Sequence, residues 1–448
     1  MQPGYLAYKL ADTIKQTSKI DPELFTRYGV KRGLRNDDGT GVLVGLTRIS
    51  NVIGYEQDED GNVHPIPGQL FYRGYDVAAL LRAAQAEHRF AFEEVAYLLL
   101  SGELPDADEL EQFRQLIIEQ MPLPHEATMS ILALRGTNVM NILARSVLEL
   151  YTHDPDPESL TREHTMEQAI SLIAHFPTII VYAYNVIRHH QQGLPLHIRM
   201  PKPDLSLTEN FLYMLRKSYT ELDAQVLDML LVLQAEHGGG NNSAFAVRVT
   251  SSTQTDIYSS ISAGIGSLKG PLHGGANIEV VNMMAHLEEV IADWTDVDEI
   301  SAYLERILNK EVYDKQGLIY GVGHAVYTIS DPRVELLRSL ARDLAVEKGR
   351  SAEFDFLDLV ARLAVPLVSR IKKNGAPVAV NVDFYAGFLY DLIGLPRELY
   401  TPLFAMARIV GWTAHRIEEL NFSGRRIIRP AYRNVIEDQP PYVALADR

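Results

Sequence analysis

The stretch "MEQAISLIAHFPTIIVYAYNVIRHH", residues 166 to 190, is long and apolar over most of its length, and it decides the class of fold. A helix that is apolar around most of its circumference belongs in a large core or in a subunit interface. Pro177 lies in the middle of the stretch, where a proline kinks or breaks a helix. We therefore expect either one kinked buried helix or two helices that meet at Pro177.

The rest of the chain repeats this helical spacing, with apolar residues every three or four positions. Clear examples are residues 76–87, 92–102, 108–121 and 139–151. Residues 41–55 are strand-like instead, and Asp60-Gly61 or Gly61-Asn62 is a turn signal, so a small β-hairpin is predicted near the N-terminus. At 448 residues the chain exceeds what one core usually supports, so we expect a mainly α protein of two domains with a small β element.

Composition and charge exclude several functional classes. The net charge of −16 disfavours binding to nucleic acids or anionic membranes, because both would repel the protein. The sequence contains no cysteine, which excludes disulfides, thiolate nucleophiles and cysteine-ligated metals. The first residues lack the apolar core of a signal peptide, and no window reaches the roughly 18 consecutive apolar residues that span a bilayer. These features predict a cytoplasmic protein.

Three histidines lie in glycine-rich breaks between helices: His237 in "AEHGGGNNSAF", His273 in "KGPLHGGAN" and His324 in "GVGHAVY". Glycine lets the backbone approach a ligand closely, and helix ends offer unpaired N–H groups. A single loop histidine usually bonds only to nearby backbone, but three in the same setting favour a small-molecule site. A histidine metal site is the rival interpretation, although no HxxxH or HExxH spacing supports it.

An aspartate and three arginines complete the set of candidate residues. Asp383 in "NVDFYAG" is either a helix N-cap or a general base whose pKa is raised by partial burial beside two aromatic residues. Arg333, Arg408 and Arg429 are individually typical of surface ion pairs or of stems that cover apolar surface. Together they could hold a dicarboxylate, because each guanidinium forms a fork that matches a carboxylate.

Six segments, in the same order along the chain, resemble the citrate synthase family over about residues 40–435. They are "PGQLFYRGYDV", "HGGGNNSAFAVRVTSSTQTDIYSSI", "SLKGPLHGGAN", "GVGHAVYTISDPR", "NVDFYAGFLY" and "ARIVGWTAH". The resemblance implies a mostly helical homodimer. It also implies a large domain of residues 1–274 plus 383–448 and a hinged, CoA-binding small domain of residues 275–382.

The resemblance also implies a metal-free condensation of acetyl-CoA with oxaloacetate, with acyl-CoA as co-substrate and no tightly bound cofactor. His273 is expected to stabilise the enol of the thioester while Asp383 removes a methyl proton, and His324 to donate to the oxaloacetate carbonyl. The residues expected to bind oxaloacetate are His237, Arg333 and Arg408, with Arg429 from the neighbouring subunit and Asn241 supporting the His237 loop.

The CoA-binding part of the resemblance is less complete. The backbone around Gly317, Gly321 and Gly323 is expected to contact the adenine end, with Asn381 nearby. Thr328 occupies a position where many members carry a basic residue for a CoA phosphate, so Lys372 or the adjacent Lys373 is proposed for that contact instead.

Three other interpretations remain open. A 2-methylcitrate synthase using propionyl-CoA, or an enzyme that accepts both acyl groups, fits the same motifs, because one methylene changes binding by only about 1–3 kcal/mol. A histidine metalloenzyme and a non-catalytic helical scaffold are the alternatives from other classes. A scaffold is expected to have lost some of the histidines and the aspartate, and all of these are present.

Overall fold

A computed structural model describes residues 3–37, 39–216, 218–371, 377–436 and 441–448. By contacts, the chain divides into two compact units, one of residues 1–44 together with 428–448 and one of residues 45–427. The described residues form eighteen α-helices and three β-strands, which confirms the prediction of a mainly α fold. The predicted division at residues 274 and 382 is a different partition and stays a prediction.

The first unit is small and largely exposed. It contains α1 (Pro3–Thr17) and α2 (Glu23–Arg27), followed by a short 3₁₀ turn at Arg32–Leu34. The guanidinium of Arg433 lies 4.9 Å from the centre of the Tyr28 ring, so the C-terminal segment packs on the N-terminal one within this unit.

The second unit contains the hydrophobic core. Its strands are β1 (Ser50–Gln57), β2 (Val63–Tyr72) and β3 (Tyr75–Asp76). Its helices are α3 (Val77–Ala86), α4 (Phe92–Ser101), α5 (Ala107–Gln120), α6 (His125–Ala133), α7 (Val139–Leu150), α8 (Arg162–Gln192), α9 (Leu207–Arg216), α10 (Glu221–Gln234), α11 (Asn242–Ser251), α12 (Ile257–Leu268), α13 (Ala276–Val290), α14 (Val297–Leu308), α15 (Pro332–Glu347), α16 (Ser351–Ile371), α17 (Asp383–Leu392) and α18 (Tyr400–Asn421).

The long apolar stretch forms one continuous helix, α8, with Pro177 inside it. The stretch is therefore one buried helix and not two helices that meet at Pro177. Thr161 caps its N-terminus through its side chain, and Gly193 ends it in a left-handed conformation with φ 66°. Within the described part of the chain, α8 alone is long and apolar enough to cross a membrane, but 89% of its apolar window is buried inside the protein. It is a buried helix of the core, packed against α5, α6, α7, α9 and α18.

The predicted hairpin is present near the N-terminus. Strands β1 and β2 pair antiparallel from Ser50 opposite Tyr72, with an irregularity between Ile53 and Tyr55. The turn lies where the sequence places it, and Gly61 adopts φ 85° there, a left-handed conformation that glycine tolerates best.

This hairpin packs directly on the loop that precedes α15. The Gly68 N–H donates to the carbonyl of Ser330 at 3.1 Å, and the Tyr327 hydroxyl donates to the carbonyl of Gln69 at 3.1 Å. A Cβ atom on Gly68 would lie 2.3 Å from the Ser330 carbonyl oxygen, and one on Gly54 would lie 2.4 Å from that of Val326. Both glycines are therefore required by the close approach of two backbones.

Gly68→Ala is expected to push the 326–330 loop away from the hairpin, because the obstructing atom belongs to the backbone and has no rotamer to change. Overpacking of this kind costs about 1–3 kcal/mol, so we expect a lower Tm and faster amide exchange in peptides that cover the loop. Gly45→Ala is the matched control, since a Cβ atom there meets no atom within 4 Å. Equal Tm values and equal exchange for the two variants would contradict this account.

Candidate active site

The second unit brings two of the three predicted histidines together. His237 follows the end of α10, and His324 lies in the loop before α15. Their ring centroids are 5.1 Å apart. Tyr327 joins them, with its ring 5.4 Å from that of His237 and stacked at 4.7 Å on that of His324. The rings of His237 and His324 therefore both pack against the ring of Tyr327.

Hydrogen bonds decide which nitrogen of His324 carries the proton. Its Nδ1 atom accepts from the backbone N–H of Val326 at 3.0 Å and from that of Tyr327 at 2.9 Å. An atom that accepts two N–H groups has no proton of its own, so the neutral ring is protonated at Nε2. His324 can therefore act as a hydrogen-bond donor at Nε2.

His237 is a neutral imidazole in the same cluster. Burial lowers its pKa well below the usual range, and the nearby charge of Arg333 lowers it further. Its Nε2 atom is buried, with no hydrogen-bond partner among the residues that the structure describes. A buried polar atom without a partner is costly, and a polar ligand atom would remove that cost.

Two arginines lie beside these rings, and both are almost completely buried. Arg333 forms a two-pronged ion pair with Asp331, with Nε at 2.9 Å and Nη2 at 2.7 Å from the carboxylate oxygens. Arg408 donates from Nε to the carbonyl of Gln234 at 2.7 Å. Within the described chain its buried Nη1 atom has no hydrogen-bond partner. Arg408 thus presents an unused donor and a positive charge, the combination that binds a carboxylate.

Asp383 is the first residue of α17, and Val382 occupies the N-cap position. Asp383 is therefore a helical residue, so the N-cap interpretation is not supported. Burial raises its pKa to about 6, although the charges of Arg333 and Arg408 act in the opposite direction. A carboxylate with this pKa is mostly ionised at neutral pH and is a stronger base than an exposed aspartate.

Backbone bonds tie the Asp383 segment to the His324 loop. The Asn381 N–H donates to the carbonyl of Gly321 at 2.9 Å, and the Asn381 side-chain amide donates to the carbonyl of Gly323 at 2.9 Å. The Asn381 carbonyl oxygen of the side chain accepts the Asp383 N–H at 3.0 Å. Asn381 therefore fixes the spacing between the loop of His324 and the start of α17.

His273 lies between α12 and α13, and its ring is held by a contact with Ser243. Its Nε2 atom is 3.1 Å from the Ser243 hydroxyl, which also accepts from the Trp412 indole N–H at 3.1 Å. Asn241 is the N-cap of α11 and accepts from the Ser243 N–H. Burial, with a smaller contribution from Arg408, lowers the pKa of His273 to about 4. His273 is therefore neutral at physiological pH.

The remaining predicted residues lie elsewhere or outside the description. Arg429 belongs to the first unit, where it is exposed. Gly317 has φ 75°, and a Cβ atom there would lie 2.9 Å from the Lys310 side chain. The predicted Lys372 and its neighbour Lys373 lie outside the described residues.

Several residues of the cluster were missed from the sequence. They are Tyr327, Asp331, Ser243, Gln234 and Trp412. Asp331 and Tyr327 lie within the same segment as His324, and "DPR" places an acid two residues before Arg333. Ser243 and Trp412 carry no local signal, because their contact spans 169 positions. Among the described residues, no group of three or more His, Asp or Glu side chains is arranged to hold a metal ion.

Buried guanidiniums, neutral imidazoles and a carboxylate of raised pKa define a helical enzyme whose site suits a small anionic substrate and proton transfer. The sequence model "Citrate synthase, C-terminal domain" matches residues 36–431. The chain therefore belongs to the citrate synthase family, and it is an enzyme of the acyltransferase type.

Individual relatives agree with this assignment. The citrate synthase of Acidithiobacillus ferridurans is 36% identical over 88% of this chain and 96% of the relative. The 2-methylcitrate synthase of Shewanella oneidensis is 33% identical over 85% of this chain and 92% of the relative. The crystal structure of the Thermotoga maritima citrate synthase matches with a TM-score of 0.73 at 31% identity, covering 94% of this chain and 99% of that one.

Proposed function

We propose that this chain condenses acetyl-CoA with oxaloacetate and water to give citrate and CoA. The observation that carries the proposal is the connection made by Asn381, which holds the Asp383 base at a fixed distance from the loop of the His324 donor. Condensation needs a base for one substrate and a donor for the other, both placed at one reaction centre. A citrate synthase of Thermoplasma acidophilum, 25% identical with a TM-score of 0.75, is described as a ternary complex with carboxymethyl-CoA and oxaloacetate.

The first step forms the enol of acetyl-CoA. The methyl group beside a thioester is a very weak acid, so its base needs an electrophilic partner at the same moment. Asp383 takes the methyl proton, and His273 donates a hydrogen bond to the thioester oxygen, where negative charge develops. His273 is neutral, since its pKa is lowered to about 4 by burial, so its donor is an N–H of the neutral ring. The Ser243 hydroxyl has one proton, which can go to Oδ1 of Asn241 at 2.9 Å or to Nε2 of His273 at 3.1 Å. The donor of His273 is Nδ1–H in the second arrangement.

The second step joins the two substrates. The enol carbon attacks the ketone of oxaloacetate, and the Nε2–H of His324 donates to the ketone oxygen as it becomes negative. The two backbone N–H groups at Nδ1 of His324 keep Nε2 as the donor. The new alkoxide takes up one proton, which balances the methyl proton removed by Asp383 and gives citryl-CoA. Water then cleaves the thioester of citryl-CoA to citrate and CoA.

The buried cations bind the dicarboxylate. Arg408 offers its unused Nη1 donor, and His237 offers Nε2. Arg333 contributes charge next to them, although its own Nε and Nη2 atoms are committed to Asp331. Arg429 from the neighbouring subunit completes the site, and Asn241 supports the start of α11 beside His237.

We propose a cytoplasmic homodimer in which residues 275–382 form the hinged, CoA-binding domain. No tightly bound cofactor is required, because acyl-CoA is a co-substrate. The adenine end contacts the backbone near Gly317, Gly321 and Gly323, with Asn381 holding the last two in place. Lys372 remains the proposed contact for a CoA phosphate.

A second candidate activity is the condensation of propionyl-CoA with oxaloacetate. The similarity to a relative named 2-methylcitrate synthase supports this candidate. Comparison of kcat/KM for the two acyl-CoAs, with thiol release as the readout, separates them. We expect acetyl-CoA to be preferred. A preference for propionyl-CoA would replace the first activity by the second, and no thiol release with either would refute both.

Asp383→Asn is expected to reduce kcat by about 10² to 10⁴-fold, because the amide cannot accept the methyl proton. In the parent enzyme the rate of proton removal follows the ionised fraction of Asp383. With a pKa of about 6, this rate at pH 5 is about one-tenth of its maximum. Oxaloacetate binding by the variant, measured calorimetrically, serves as the folding control. Near-parent turnover by a folded variant would contradict the role of base.

The shared site predicts complementation between subunits. Arg429→Ala and Arg408→Ala are each expected to weaken oxaloacetate binding, since each removes a carboxylate partner. In a mixed dimer one site lacks both arginines and the other keeps both, so mixing the two weakened variants restores about one good site per mixed dimer. Subunit exchange is checked independently with differently tagged chains. Exchange without recovered activity would show that Arg429 does not act across the interface.

A further inference from the structure

A line of buried polar side chains, formed by Glu236, His415 and Arg248, lies near Arg408. Glu236 is fully buried, and its Oε1 atom accepts from the Nε2 of His415 at 2.8 Å and from the Ser50 hydroxyl at 3.0 Å. The Nδ1 of His415 accepts from Arg248, at 3.1 Å from Nε and 2.7 Å from Nη2. Arg248 also pairs with Glu419 at 2.9 Å.

The hydrogen bonds fix the charges along this line. Because Nδ1 of His415 accepts from a guanidinium, the imidazole is neutral and its proton lies on Nε2, where it donates to Glu236. Burial alone raises the pKa of Glu236, but the hydrogen bonds from His415 and Ser50 and the positive charge of Arg408 lower it. Glu236 is therefore a buried carboxylate ion with a neutral donor on one side.

Helix α18 is shaped to receive this carboxylate. Arg408, Gly411 and His415 are spaced by three and four residues, so they lie on one face of the helix. A Cβ atom on Gly411 would lie 2.1 Å from the Oε2 of Glu236. No larger residue fits there without moving the carboxylate.

The same short segment, residues 234–238, also carries the substrate contacts. The carbonyl of Gln234 holds Nε of Arg408, and His237 is the residue after Glu236. The Ser50 hydroxyl receives the Gly238 N–H at 3.1 Å while donating to Glu236. The anchoring of Glu236 therefore also positions Arg408 and His237, the two side chains proposed to bind the substrate.

We propose that Glu236 and His415 are positioning residues for the oxaloacetate half of the reaction. They fix residues 234–238 against α18, so that the unused Nη1 donor of Arg408 and the unpartnered Nε2 of His237 converge on one dicarboxylate. This inference rests on the proposed function, because it assigns these two groups to oxaloacetate.

A purely structural role does not account for the arrangement equally well. Oε2 of Glu236 is buried, and the described residues supply it with no hydrogen-bond partner. Ionic groups in a core usually stabilise a fold no better than apolar residues of the same size. One oxygen of the Glu236 carboxylate thus has no hydrogen bond from the described residues. A role in fixing the position of Arg408 and in compensating its charge explains this carboxylate better than a role in stability does.

Two substitutions at one position test the proposal. His415→Leu removes the hydrogen bonds to Glu236 and to Arg248. We expect it to raise the KM for oxaloacetate by about tenfold or more while the KM for acyl-CoA changes by less than about twofold. His415→Gln keeps one donor and one acceptor without a charge, and we expect it to recover oxaloacetate KM to within about threefold of the parent. His175→Leu is the matched control, the same change at a buried imidazole in α8, and it should lower Tm without altering either KM.

Three results would overturn the proposal: an unchanged oxaloacetate KM in folded His415→Leu, equal changes in both KM values, or no recovery by His415→Gln. If His415→Leu does not fold, Ser50→Ala decides. It removes one bond to Glu236 and one to Gly238, and it should raise oxaloacetate KM by about threefold with acyl-CoA KM unchanged. Parent enzyme without thiol release would show instead that the proposed function has failed.

Discussion

Two guanidinium ions buried in a helical core, those of Arg333 and Arg408, are the constraint on which the site depends. Removing a charge from water costs several kcal/mol unless partners replace the solvent. For Arg333, the two-pronged ion pair with Asp331 replaces the lost solvent. For Arg408, the Gln234 carbonyl and the nearby charge of Glu236 replace it only in part. The Nη1 donor of Arg408 therefore stays available for an anionic substrate.

Burial and the same two cations together set the protonation of the neighbouring side chains. Burial lowers the pKa of His237 and His273, and the arginines lower it further. A third positive charge in this space would be repelled, so both imidazoles stay neutral. For Asp383 the arginines act against burial and limit the rise of its pKa to about 6. Burial and the charges of the two arginines together therefore keep the two histidines uncharged, and the arginines keep the base ionised at neutral pH.

Much of the fold and of the candidate site could be predicted from the sequence, since the signals are local. Helical spacing identified α8 and its neighbours, glycine-rich breaks marked the three histidines, and the turn residues marked the hairpin. The contacts that could not be predicted join distant positions. Ser243 meets Trp412, and Gly68 meets Ser330, 262 positions further on. Nothing in the residues around Gly68 indicates which backbone lies against it, because that depends on packing of the whole unit.

The neutrality of the imidazoles bears on how the chemistry proceeds. A charged imidazolium would give up its proton easily, but beside two guanidiniums it would be expensive to form. A neutral N–H is a weak acid, so it stabilises a developing oxyanion mainly by a hydrogen bond that strengthens as charge accumulates. Such a donor is effective only if it is already aimed at the oxygen. The two backbone N–H groups at Nδ1 of His324 and the Ser243 hydroxyl beside His273 hold the rings in place. Preorganisation by the backbone and by Ser243 thus takes the place of a stronger acid.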